Sequence, residues 1–317
     1  MKKSILCGIL VCLSMVAFAQ RSMEWYAYWG SNDAGNQIEP QRMIVDNEGN
    51  IYVAALFGGT KVAVENKTLV SASPKDNGDA VIVKMSDAKV VQWVYPIVSA
   101  GNATISDIAF DKQGNIVAVG GFTSAIKVGN ATMELDDSNL GEAALYVLKL
   151  KADGSAIKAW QISAAAVKTC GVAIDSQDNI IVAGTLDGDA TFIPGQEAEG
   201  DFQKESQLFV AKFDANGNHV WHKFTNTSES SAVYGKTSVA VDENDNIYVA
   251  TTLTGSMKIQ DATVSASASN ALLIAYNAAG EERWYHMIDG DQSDEAAAGA
   301  VSPMPRTTSW WCLTVTQ

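Results

Sequence analysis

The sequence contains three histidines, His219, His222 and His286, and imidazole suits metal ligation or proton transfer near neutral pH. In "HVWH" the spacing of three puts His219 and His222 on opposite faces of a regular strand, where side chains alternate, so joint ligation is not expected there. Carboxylates gather in two short runs. "DGDQSDE" holds Asp289, Asp291, Asp294 and Glu295, and "DGD" holds Asp187 and Asp189. Such oxygens suit a hard cation such as Ca2+, the alternative being a pair of solvated loops. Tryptophans recur at Trp25, Trp93, Trp160, Trp221 and Trp284, either as packing residues or as platforms for sugars. No G-x-S-x-G, H-E-x-x-H or phosphate-loop pattern occurs. No catalytic residue and no cofactor are therefore assigned.

What positions these residues is a repeat. "DNEGNIYVA" from Asp46 returns as "DKQGNIVAV" from Asp111, "DSQDNIIVA" from Asp175 and "DENDNIYVA" from Asp242, at spacings of 65, 64 and 67. A second apolar run follows each, in "AVIVKM", "LYVLKL", "LFVAKF" and "LLIAYN", and then a turn and a tryptophan. A further apolar strand precedes each aspartate. The unit is four short strands bounded by Gly, Asn or Asp, which is strand rather than helix patterning.

In "NIYVAALF" both alternate sets of side chains are apolar, so both faces of each sheet must be covered, whereas most antiparallel sheets keep one polar face. Four-stranded sheets covered on both sides at a constant period predict an all-β chain, a β-propeller. The repeated pairs Asp46 and Asn50, Asp111 and Asn115, Asp175 and Asn179, and Asp242 and Asn246 are read as hairpin turns. In them a Gly, or an Asp in its place, takes the positive φ. The spacing of a calcium loop is missing.

The stretches "GNIVAVGGFTSAIKVGNATMEL…ALYVLKLKADGSAIKAW" and "DNIIVAGTL…LFVAKFDANGNHVW" resemble the bacterial SBBP-type β-propeller repeat over residues 44 to about 289. The resemblance implies an exported or cell-surface propeller and names no activity.

Lys2 and Lys3, an apolar run and Ala17-Phe18-Ala19 read as a secretory signal over residues 1–19, which predicts a periplasmic, cell-surface or secreted protein with no membrane insertion. The propeller is expected over 20–302, with repeats at approximately 41–99, 105–164, 169–226 and 236–289. "MEWYAYWG", around 23–30, reads as a last strand that joins the C-terminal end to make a partial fifth blade. Residues 303–317 break the pattern. Either "SWWCLTVT" is a strand of an imperfect closing blade, or the reading is cut or shifted near residue 303.

The formal net charge of −14 argues against nucleic acid and anionic membranes. Cys7 and Cys12 fall within the signal, and Cys170 and Cys312 make no disulfide framework. The expectation is a monomeric, non-enzymatic module that holds a protein, glycan or peptide on a propeller face. Sites are expected among the loops 30–41, 99–106, 163–169, 226–237 and 289–298. The alternative is an extracellular polysaccharide hydrolase or lyase with axial carboxylates.

Overall fold

Runs such as "IYVAALFG" and "DAVIVKM" are apolar at successive positions, short and rich in Val and Ile, and a strand packed on both sides buries such a run. In the computed structural model, Ile51–Gly58 and Asp79–Met85 are such strands, buried along almost their whole length. The structure describes residues 29, 37–59, 61–71, 78–128, 131–133, 143–193, 196, 199, 207–225, 232–288, 297–302 and 312–316.

The described strands are β throughout and pair antiparallel, in four successive units. Unit one is Gln37–Val45, Ile51–Gly58, Asp79–Met85 and Val91–Ser99, each paired with the next. Unit two is Asp107–Phe110, Ile116–Phe122, Ala143–Leu150 and the start of the long strand Ala156–Ile174. That strand continues as the first strand of unit three, before Ile180–Thr191, Gln207–Phe213 and His219–Phe224. Register shifts between Ala164 and Ala166, and between Val167 and Thr169, mark where it changes partners. Unit four is Ala232–Val241, Ile247–Ile259, Ala262–Tyr276 and Glu282–Ile288.

Three core clusters lie between units, and units one and four each carry a further cluster of their own. Tyr52, Ile82 and Ile97 of unit one meet Ile108, Ile116 and Tyr146 of unit two. Val119 and Leu145 of unit two meet Val182 and Phe209 of unit three, and Ile181 and Val210 of unit three meet Val249 and Ile274 of unit four. Among the described residues the units make a succession of sheets and not a closed ring.

Ala297–Ser302 pairs with Cys312–Thr316 and lies against the first strand of unit four. Trp29 packs on the outer core of unit one. Trp25 lies outside the described residues, as do the rest of 23–30, the carboxylates Asp289, Asp291, Asp294 and Glu295, and residues 303–311.

Two turn glycines separate backbone strain from packing. Gly114 and Gly217 both have φ +75°, which L side chains avoid. A Cβ on Gly114 would meet nothing within 4 Å, whereas one on Gly217 would stand 2.7 Å from the Trp160 ring of the preceding unit. Gly114→Ala is expected to cost about 1–2 kcal/mol from φ alone. Gly217→Ala should cost about 1–3 kcal/mol more, because the ring must move. Urea denaturation of the two variants checks the difference.

Candidate functional site

Each repeated turn is a clamp closed by its own aspartate. Asp111 Oδ1 accepts the backbone N–H of Gln113 and Asn115 at 3.0 and 2.8 Å, and Oδ2 accepts Asn115 Nδ2 at 2.8 Å. Asp46, Asp175 and Asp242 hold Asn50, Asn179 and Asn246 in the same way. The remaining capacity of Oδ2 goes to the Tyr52 and Tyr248 hydroxyls in units one and four, and to the Lys149 and Lys212 ammoniums in units two and three. N–H and ammonium donors thus converge on these carboxylates.

Where Gly is replaced, Asp178 and Asp245 carry φ of 61° and 62°. The strain is offset by bonds back to the preceding unit. Asp178 accepts Lys112 N at 2.8 Å and Gln113 Nε2 at 2.6 Å, and Asp245 accepts Ser176 N and Oγ at 2.7 and 2.6 Å.

The same lysines reach the opposite way. Lys149 Nζ, 2.9 Å from Asp111, also donates to the Ala215 carbonyl at 3.0 Å, in the next unit's turn. Lys212 joins Asp175 at 2.8 Å and the Ala278 carbonyl at 3.4 Å. Lys84 donates to the Ala152 carbonyl at 3.1 Å, with its ammonium over the Tyr52 ring.

The tryptophans share this junction but not one register. Trp93 pairs with Lys84, Trp221 with Lys212 and Trp284 with Ala275, whereas it is Lys158 that pairs with Lys149. Trp160 sits two residues further on, opposite Val147, and still reaches the Gly217 turn. Sequence order alone does not show this shift. Trp93 Nε1 donates to the Ala152 carbonyl at 3.1 Å, while the buried Trp160 Nε1 has no hydrogen-bond partner among the described residues. Lys158 Nζ covers the Trp160 ring at 5.6 Å from its centroid and donates to the Asn216 carbonyl at 2.7 Å. A cavity of about 430 Å³ opens here, lined by Asn115, Lys149, Ile157, Lys158, Trp160, Ala215 and Asn216. Ammonium, carboxamide and indole groups together suit a ligand with both acceptor atoms and an apolar edge.

The first strands supply a second cluster. Asp107 Oδ1 lies 3.0 Å from Arg42 Nε of unit one and accepts Ile108 N, while Oδ2 accepts Val172 N of unit three at 3.1 Å. Burial raises the Asp107 pKa, against the lowering influence of Arg42, these two backbone N–H groups and Lys236 of unit four. With both oxygens engaged, this carboxyl braces three units. Beside it, Cys170 is buried, and burial raises its thiol to about 12.

The histidine pair corrects the sequence reading. Phe213 pairs with His219 while its neighbour Lys212 pairs with Trp221, so Val220 is an extra residue in a bulge. The bulge returns His219 and His222 to one face, with Nε2 of His219 2.9 Å from Nδ1 of His222. Glu199 Oε2 lies 3.1 Å from His222 Nε2, and Phe192 stacks on His222 with centroids 4.1 Å apart and planes 8° apart. Burial and then His222 lower the His219 pKa, while Glu199 raises it. His286 stands on the exposed last strand of unit four. Asp187 and Asp189 lie on Ile180–Thr191, and no group of three or more His, Cys, Asp or Glu placed to hold one metal ion occurs among the described residues.

No protein-family model matches the chain. It is 29% identical over 153 residues to an uncharacterized WD repeat-containing protein of Acanthamoeba polyphaga mimivirus, covering 45% of this chain and 11% of that protein. The chain therefore spans about a tenth of that relative's length. A Dyadobacter fermentans protein of unknown function is similar in structure with TM-score 0.47 and 13% identity, over 86% of this chain and 74% of that one. A DUF4221 family member from Bacteroides vulgatus gives 0.33 and 8%, over 89% and 96%. No helix among the described residues is long and apolar enough to cross a membrane.

The junction lysines differ in what they leave behind. Lys149→Met strands the buried Asp111 carboxylate and is expected to cost about 3–5 kcal/mol, whereas Lys84→Met strands no carboxylate and should cost less. Burial alone would raise Asp111 and Asp175, but bonds from Asn115 and Lys149, and from Lys212 and Asn179, hold both below the ordinary carboxylate value. Stability from such depressed groups is complete above the unfolded pKa of about 3.9 and is lost as pH falls through the folded value. Denaturation of the wild type and both variants between pH 7 and pH 3 checks the cost and the sign.

Proposed function

We propose that the chain is an exported β-propeller interaction module, built of SBBP-like blades, which holds a peptide or short glycan in the cavity between units two and three. What carries this reading is the break in the repeat at Lys158. A tryptophan at 158 would follow units one, three and four. Instead Trp160 is displaced, at the expense of a buried indole N–H without a partner, worth about 1–3 kcal/mol. Departures from an otherwise consistent pattern collect at functional positions. The repeated aspartates and lysines are engaged by the scaffold, so recognition falls to residues that differ between units.

Further support comes from the repeat itself, since four-stranded units with cores between them suit blades around an axis, and from the WD-repeat relative, whose kind of repeat points to interaction. The acidic net charge disfavours a polyanionic ligand. The hydrolase alternative needs a carboxyl free to exchange a proton with substrate, and Asp107 is engaged by Arg42 and two N–H groups.

Tag-free protein titrated with peptide and neutral glycan panels, followed by amide and indole NMR shifts, tests the reading. Shifts at Trp160 and Asn216 are expected on binding. Lys158→Ala should weaken binding at least tenfold, and Lys158→Trp, which restores the repeat residue and fills the cavity, should abolish it while keeping the fold. Binding that survives Lys158→Trp would place the site elsewhere, and turnover of a polysaccharide would favour the hydrolase.

A further inference from the structure

We propose that His219 and His222 form a two-imidazole site for a divalent transition metal with tetragonal preference, Cu2+ or Ni2+, and that Glu199 is the carboxylate that orients it.

The tautomers follow from the partners. An ionised carboxylate only accepts, so the contact of His222 Nε2 with Glu199 Oε2 at 3.1 Å puts the His222 proton on Nε2. His222 Nδ1 is then a lone pair facing His219 Nε2 at 2.9 Å. In the metal-free form His219 Nε2 holds the single proton between them. Moving the His219 proton to Nδ1 leaves two lone pairs facing each other, which a tilt of one ring turns into the donor set a soft to borderline cation takes. A ligating imidazole whose other nitrogen donates to a carboxylate is the usual outer-sphere arrangement of protein metal sites.

The affinity order selects the metal: an imidazole pair binds Cu2+ most tightly, ahead of Ni2+ and Zn2+. The two nitrogens stand 2.9 Å apart, hydrogen-bonded in the metal-free pair, close enough for one ion with bonds of about 2.05 Å to bridge them. The metal lies off the line between the nitrogens, so one ring must tilt. His222 is held by the Phe192 stack and by Glu199, which leaves the tilt to His219.

Aromatic rings and a carboxylate surround the pair. Phe192, Phe213 and Phe224 wall the pair with aromatic faces, and Glu199 is the charged group that faces it, its side chain 61% exposed. Water would complete the coordination.

The test is calorimetric titration of the tag-free full chain with CuCl2, NiCl2 and ZnCl2 in a non-coordinating buffer at pH 7.5, with Cu2+ electron paramagnetic resonance beside it. One equivalent is expected, in the order Cu2+, Ni2+, Zn2+, with a resonance pattern from two imidazole nitrogens. His219→Gln and His222→Gln should each lower affinity at least tenfold, Glu199→Gln by about tenfold, and His286→Gln not at all. No uptake, undiminished uptake by the His219 and His222 variants, or a wild-type spectrum without two nitrogens would overturn the proposal. The spectrum decides alone where a variant fails to fold.

Discussion

An ammonium buried between two turns is the contact by which one unit recognises the next. Lys149 and Lys212 are 6% and 8% exposed, and a charge so placed persists only when it is paired and its remaining donors are used. The aspartate of the unit's own clamp supplies the counter-charge and the following unit's turn supplies the carbonyl. The clamp must therefore close for the lysine to enter, and the neighbour's hairpin must be in place for the lysine to be satisfied. The interunit cores add area, but area alone does not fix one register of sheet on sheet.

The ends of the series lack parts of this device. At the position of the junction lysine, unit four has Ala275 opposite Trp284, and Trp284 is 39% exposed. Its clamp aspartate is served by the Tyr248 hydroxyl instead. Unit one combines Tyr52 on Asp46 with a lysine over the tyrosine ring. The substitutions thus follow what lies on each unit's far side.

The period, the hairpin clamps and the doubly apolar strands could be read directly, because each depends on residues a few positions apart. The Asp at the positive-φ position of the third and fourth clamps could be placed in its turn. Its bonds to the preceding unit could not, since they span more than sixty residues. The histidine pair was hidden by one residue, because strict alternation separates positions 219 and 222 and the bulge at Val220 reunites them. A signal was present. A tight turn between the third and fourth strands recurs in every unit, and every unit shows the same register shift just after it. The displacement of Trp160 was similarly masked, because its order along the chain looks regular while its strand partner is not. Counting residues from the positive-φ turn residue, Lys89, Gly154, Gly217 or Gly280, rather than from one tryptophan to the next, exposes Lys158 as the odd member.

The junction lysines all point forward in the chain, to carbonyls 68, 66 and 66 residues ahead. A unit that has just been synthesised can close its hairpins but cannot bury its lysine, because the accepting carbonyl does not yet exist. At 5–20 residues per second the wait is roughly 3–13 s per unit. Locking therefore trails translation by one repeat, and every unit but the last passes through an interval in which its sheet is formed while its buried charge still faces water.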